Sequence, residues 1–128
     1  MKFQIFAIDF DGIMATEDLF PMVGSPIPYA KESINFIKKL GGTMILWTCR
    51  CDYALDNALE YLDKNDIVFD YVNENCATMK NYYNNDPRKI GADIYIDDKA
   101  ILGEVNWLDI MAYILDEHEY IEFIKTLS

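Results

Sequence analysis

The stretch "FAIDFDG" (residues 6–12) drives an apolar run into two acids one residue apart and then into a glycine. Residues 3–8 have the length and composition of a strand buried on both faces, and Asp9 and Asp11 stand where that strand must leave the interior. The reading of the fold turns on what lies beyond it.

Working outward, "TMILWT" (43–48) repeats the pattern of an apolar run with a polar exit, and so do 67–72 ("IVFDYV") and 92–97 ("ADIYID"). Between the first two strands, "GIMATEDLFPMVGSPIP" carries Pro21, Pro26 and Pro28 and cannot be one helix. "YAKESINFIKKLGG" then spaces Ala30, Ile34, Ile37 and Leu40 as a helix, with Lys38 and Lys39 in the last turn and Gly41-Gly42 as its stop. "DYALDNALEYLDKND" places Leu55, Ala58, Leu59 and Leu62 on a second helical face, with Asp52 as its N-cap. Residues 73–86 are polar and asparagine-rich, and from Trp107 onward one helical period runs almost to the end, with Trp107, Ile110, Met111, Ile114 and Ile121 as its buried face. Strands alternating with helices of this length predict βαβ crossovers and a fold of the α/β class. The expected architecture is a three-layer, Rossmann-like parallel sheet with helices on both faces, spanning residues 1–128 as one domain.

Composition narrows the function. The 128 residues are 52% apolar and carry a net charge of −11, which argues against a protein that coats nucleic acid by releasing counterions. The amino-terminal apolar stretch is broken by Gln4 and closed by Asp9, no run approaches membrane-spanning length, and a cytoplasmic location is expected. Cys49, Cys51 and Cys76 lack zinc-knuckle spacing and read as reduced thiols; a phosphatase-type catalytic cysteine would need an arginine about six residues on, and none stands there.

Parallel strands point their carboxyl ends the same way, so Asp9, Asp11, Thr48, Asp97 and Asp98 converge on one edge, where ligands of such sheets bind. Two unit charges about 4 Å apart cost on the order of 4 kcal/mol at an effective dielectric near 20. A cation must therefore sit among them, and clustered oxygen ligands suit Mg²⁺.

Taken together, "IFAIDFDG" after the first strand, Thr48 ending the second, Lys89 before the fourth and "IYIDD" ending it resemble the four motifs of the haloacid dehalogenase (HAD) superfamily. The resemblance spans residues 3–103, and "ILWTCR", "FDYVNEN" and "RKIGADIYIDD" resemble a small capless branch of it. It implies a Mg²⁺-dependent phosphatase acting on a small phosphorylated substrate. Asp9 would be the nucleophile that forms an aspartyl-phosphate, and Asp11 the general acid and base. Asp9, the Asp11 main-chain carbonyl and Asp97 would hold the metal, with Asp98 supporting it. Thr48 and Lys89 would bind the phosphoryl group, Lys80 and Lys99 being competitors for the lysine role. Ile13 stands where the family usually has threonine or valine, a change that keeps the packing. Neither inter-motif gap has room for a cap domain.

Arg50, Asn73, Glu74 and Asn75 follow strand ends and are expected at the crevice as substrate contacts. For Arg50 two readings stand: a fork onto a second anionic group of the substrate, or a salt bridge or helix cap. His118 reads as a surface residue. The distal part of the last helix, with Tyr120, Phe123 and Ile124, is read as a candidate contact with a second subunit in a homo-oligomer. Two other function classes compete with the phosphatase. One is a HAD-like domain that binds metal and a partner without turnover; the other is a receiver-like phosphorylation switch, whose acceptor would be Asp70.

Overall fold

The computed structural model describes residues 1–101, 103 and 106–128. Its first strand, β1 (Ile5–Ile8), is buried at all four positions, as an apolar run in the middle of a sheet must be. A polypeptide excursion then leads to α1 (Ala30–Lys39) and β2 (Thr43–Leu46). α2 (Asp52–Lys64), β3 (Tyr71–Val72), α3 (Ala77–Tyr83) and β4 (Ile94–Ile96) follow, and the chain closes with α4 (Trp107–Ile114) and α5 (Glu117–Thr126). The four strands form one parallel sheet in the order β3-β2-β1-β4, with Phe6 opposite Met44 on one side and Ile94 on the other.

That strand order decides which face each helix covers. The chain steps from β1 to β2 to β3 in one direction and then jumps back across β1 to β4, so right-handed crossovers place α1 and α2 on one face and α3 on the other. The core divides accordingly. Phe6, Ile8, Met44, Leu46 and Ile96 pack against Ile34 and Ile37 of α1, Ala58 and Leu62 of α2, Met111 of α4 and Phe123 of α5. The alternate residues Ile5, Ala7 and Ile45 face Cys76 and Ile90, with Met79 of α3 packed alongside. This is the expected α/β, Rossmann-like arrangement with helices on both faces, and among the described residues there is no cap domain. No helix among the described residues is long and apolar enough to cross a membrane.

Several expectations need correction. The third strand is only two residues long because β3 is an edge with one neighbour; Ile67, expected within it, instead closes α2, donating its amide to Leu62 while Asp66 turns left-handed (φ 56°). Cys51 rather than Asp52 occupies the N-cap position of α2, with no side-chain capping bond, and Asp52 is the first residue of the helix at φ 49°. Its buried stripe is Ala54, Ala58 and Leu62, one step round from the predicted face, and Leu59 is exposed. The polar segment 73–86 contains α3. The final helix is two helices, broken at Leu115 and restarted by a capping box between Asp116 and Glu119. The break resets the helical phase, so Ile121 is exposed and Phe123 is buried edge-on against Phe36. Of the three residues read as a candidate contact with a second subunit, Phe123 and the partly buried Tyr120 pack into this chain's own core, and Ile124 is exposed.

Candidate functional site

Asp9 leaves β1 with its amide bound to the Ile96 carbonyl, which fixes it between the ends of β1 and β4. One carboxylate oxygen accepts from the Phe10 amide at 2.8 Å. The chain then turns at once: the amides of Met14 and Ala15 return to the Phe10 carbonyl, and the buried Trp107 indole donates to Ile13 O at 2.8 Å, pinning the turn to α4. Gly12 sits inside this turn at φ 81°, and a Cβ there would stand 2.2 Å from Asp98 Oδ2. Glycine is required twice over, by its left-handed conformation and by the approach of a carboxylate from β4.

Carboxylate oxygens of Asp9, Asp97 and Asp98 all lie within 4.8 Å of one another. Burial raises the Asp9 carboxyl to about 7, the charges of Asp97, Asp98 and Asp11 add to the rise, and the Phe10 amide opposes it. Asp97 accepts from the Lys99 amide, and Asp98 pairs with Lys99 Nζ at 3.2 Å. These three carboxylates could hold a hard cation: three oxygen ligands from two strand ends repel one another, and a positive charge among them would relieve the repulsion.

The crevice around these groups has a volume of about 380 Å³, and Thr48 lines it beside Asp11. The Thr48 amide donates to Asn73 Oδ1 and its hydroxyl accepts from the Arg50 amide, which fixes the side chain and leaves the hydroxyl proton available. Five predicted site residues, Asp9, Asp11, Thr48, Asp97 and Asp98, are thus brought together. A larger groove of about 480 Å³ runs along the free edge of β4, but its walls are mostly apolar, among them Ile94, Ile101 and Tyr113.

The remaining predicted residues go elsewhere. Lys89 does not line the crevice; its Nζ lies over the Tyr95 ring, 5.8 Å from the centroid. Lys80 pairs with Glu74 on the surface. Of the three candidate lysines it is Lys99 that lines the crevice. Asn75 is fully buried and holds the segment before β4 through Asp86, Pro87 O and the Gly91 amide. Asn73 Oδ1 accepts from the Thr48 amide. Arg50 is 2% exposed and grips Asp11 in a two-bond fork, which selects the salt-bridge reading over a substrate contact. Sequence reasoning missed Glu17, Trp47 and Cys49, which also line the crevice. Trp47 follows β2 directly and was a residue of its predicted strand, whereas Glu17 lies in an irregular excursion with no periodic signal.

No family model matches the chain, and no curated protein matches it. Among solved structures, the chain is similar to a conserved protein from Bacteroides thetaiotaomicron at 28% identity, covering 91% of this chain and 95% of that one with a TM-score of 0.75. The α/β architecture is therefore shared over nearly the whole length of both.

Proposed function

We propose that this chain is a Mg²⁺-dependent phosphatase of the HAD type, hydrolysing a small phosphate monoester. The observation that carries the reading is the meeting of the three carboxylates of Asp9, Asp97 and Asp98 with the Thr48 hydroxyl in one crevice at the carboxyl edge of the sheet. Asp9, Asp97 and Asp98, with the Asp11 main-chain carbonyl, would hold the metal, whose charge would offset that of the phosphoryl oxygens.

This chain's residues then divide the work. Asp9 attacks phosphorus as the ester oxygen departs, and Asp11, which must enter the cycle protonated on one oxygen with Arg50 held by the other, gives the departing oxygen that proton, leaving an aspartyl-phosphate on Asp9. Asp11 next takes a proton from water as the water attacks the phosphoryl group, which restores Asp9 and releases inorganic phosphate. Thr48 donates its hydroxyl proton to a phosphoryl oxygen, and Lys99 supplies the positive charge first assigned to Lys89. The test is phosphate release from p-nitrophenyl phosphate with and without Mg²⁺. Turnover that needs the metal and falls by about a thousandfold in Asp9→Asn is the expected result; metal-independent turnover, or none, rejects the reading.

One observation favours a second reading, metal and partner binding without turnover: both Asp11 oxygens are engaged by Arg50, and the adjoining surface exposes Leu19, Phe20 and Met22. The same assay separates the two. A receiver-like switch has less support, since Asp70 precedes β3 at the opposite edge, bonded to Lys38 and the Met44 amide.

A further inference from the structure

The excursion between β1 and α1 is closed at its base by paired bonds between Thr16 and Ser25, and its tip exposes Leu19, Phe20 and Met22. The Asp11 carboxylate and this tip meet at one group, the Arg50 guanidinium. Nε donates to Asp11 Oδ2 at 2.9 Å and Nη2 to Asp11 Oδ1 at 2.8 Å. Nη1 donates to Pro21 O and Ala54 O, both at 2.9 Å, and Nη2 also reaches Met22 O at 3.2 Å. These bonds use all five N–H donors of a guanidinium. The rings of Phe10 and Phe20 flank its carbon at 5.1 and 4.9 Å.

We infer that Arg50 is a positioning residue that makes the Asp11 carboxylate and the 20–22 tip one mechanical unit. A planar fork has a fixed orientation, so the guanidinium cannot swing with the tip carbonyls and keep both oxygens of Asp11. Displacing the tip therefore releases or reorients Asp11, and holding Asp11 holds the tip. Asn57 adds a second bond to Pro21 O, which leaves Met22 O as the tip carbonyl that depends on Arg50 alone. What Asp11 does chemically rests on the phosphatase reading; the tie itself does not.

The test compares wild type, Arg50→Lys and Asp11→Asn in the full chain by hydrogen exchange and by hydrolysis. Arg50→Lys keeps the charge and loses the fork. Both variants are expected to raise exchange in peptides covering residues 19–23 by about tenfold, although the Asp11 side chain makes no hydrogen bond to that tip. In hydrolysis, Arg50→Lys should lose about tenfold more on phenyl phosphate than on p-nitrophenyl phosphate, because the poorer leaving group leans harder on a well-placed acid. Added to Asp11→Asn, it should cost less than about twofold more. Unchanged exchange at 19–23 in either variant overturns the tie, and the Asp11→Asn arm decides this even if Arg50→Lys fails to fold. Equal losses on both esters, with additive effects in the double variant, overturn the positioning role. A wild type that hydrolyses neither ester rejects the phosphatase reading, and exchange alone then decides the tie.

Discussion

The two ends of the sheet use the same residue for opposite purposes. At the amino edge, Asp93 accepts from the amides of Gln4 and Ile5 at 2.9 and 2.8 Å, and Asp70 accepts from the Met44 amide and from Lys38 Nζ. At the carboxyl edge, Asp9, Asp97 and Asp98 face one another within 4.8 Å, and each takes one donor, from the Phe10 amide, the Lys99 amide and Lys99 Nζ in turn. The cause lies in the backbone. Parallel strands begin with unpaired N–H groups and end with unpaired C=O groups, so an acid at the start finds strand amides ready, whereas an acid at the end must draw its donors from the turn that follows. The first kind of aspartate completes the fold, and the second is left free to take a cation, as the proposed function has it.

The largest expected effect exchanges these roles. Asp9→Asn should remove nearly all turnover while raising the thermal midpoint of the metal-free protein above pH 7, where Asp9 is charged, since it deletes the central charge of a repelling set. Asp93→Ala should do the reverse: it strands two strand amides and costs about 1–3 kcal/mol, with kcat/KM kept at temperatures where the chain stays folded. Denaturant titration beside kinetics reads both, and a destabilised Asp9→Asn would break the contrast. Next in size is Gly12→Ala, which forces a side chain onto Asp98 in a left-handed turn; a loss of about 1–3 kcal/mol is expected, with weaker Mg²⁺ binding seen by calorimetry.

A smaller effect sharpens the comparison through pH. Burial and neighbouring charges raise the Asp9 carboxyl from 3.8 to about 7, so the folded state holds that proton more tightly than the unfolded state does. Its contribution to stability is complete below about pH 4 and drains away as pH rises toward 7. Thermal scans of wild type minus Asp9→Asn isolate this term from Glu119 and Asp86, whose carboxyls shift the other way. The stabilisation given by Mg²⁺ should grow over the same interval, because metal and proton compete for one carboxylate. A metal effect that is flat from pH 5 to 8 would place the cation elsewhere.

Much of this was legible in the chain. Apolar runs ending in acids located the strands, and parallel topology alone brought Asp9, Asp11, Thr48, Asp97 and Asp98 to one edge. What stayed hidden had no local signal. α3 buries none of its residues, so no period marks it. The break between α4 and α5 did have a signature, the D-x-x-E of Asp116–Glu119, but the apolar period running through it was the louder pattern. The fate of Arg50 depends on carbonyls at 21, 22 and 54 that only the folded chain assembles. The exchange of Lys89 for Lys99 has the same origin: spacing before a strand does not fix where a long flexible side chain ends, and Lys89 finds the Tyr95 ring.

The central place of β1 also sets a schedule for the molecule's synthesis. One neighbour, β2, emerges from the ribosome soon after it, but the other side of β1 is closed by β4, with Ile5 bonded to Asp93 across 88 residues. At bacterial to eukaryotic elongation rates that gap lasts about 4–18 s, far longer than a hairpin takes to form. For that interval the most apolar strand of the nascent chain keeps one edge unpaired, so slowing translation between codons 10 and 93 should increase its dependence on chaperones.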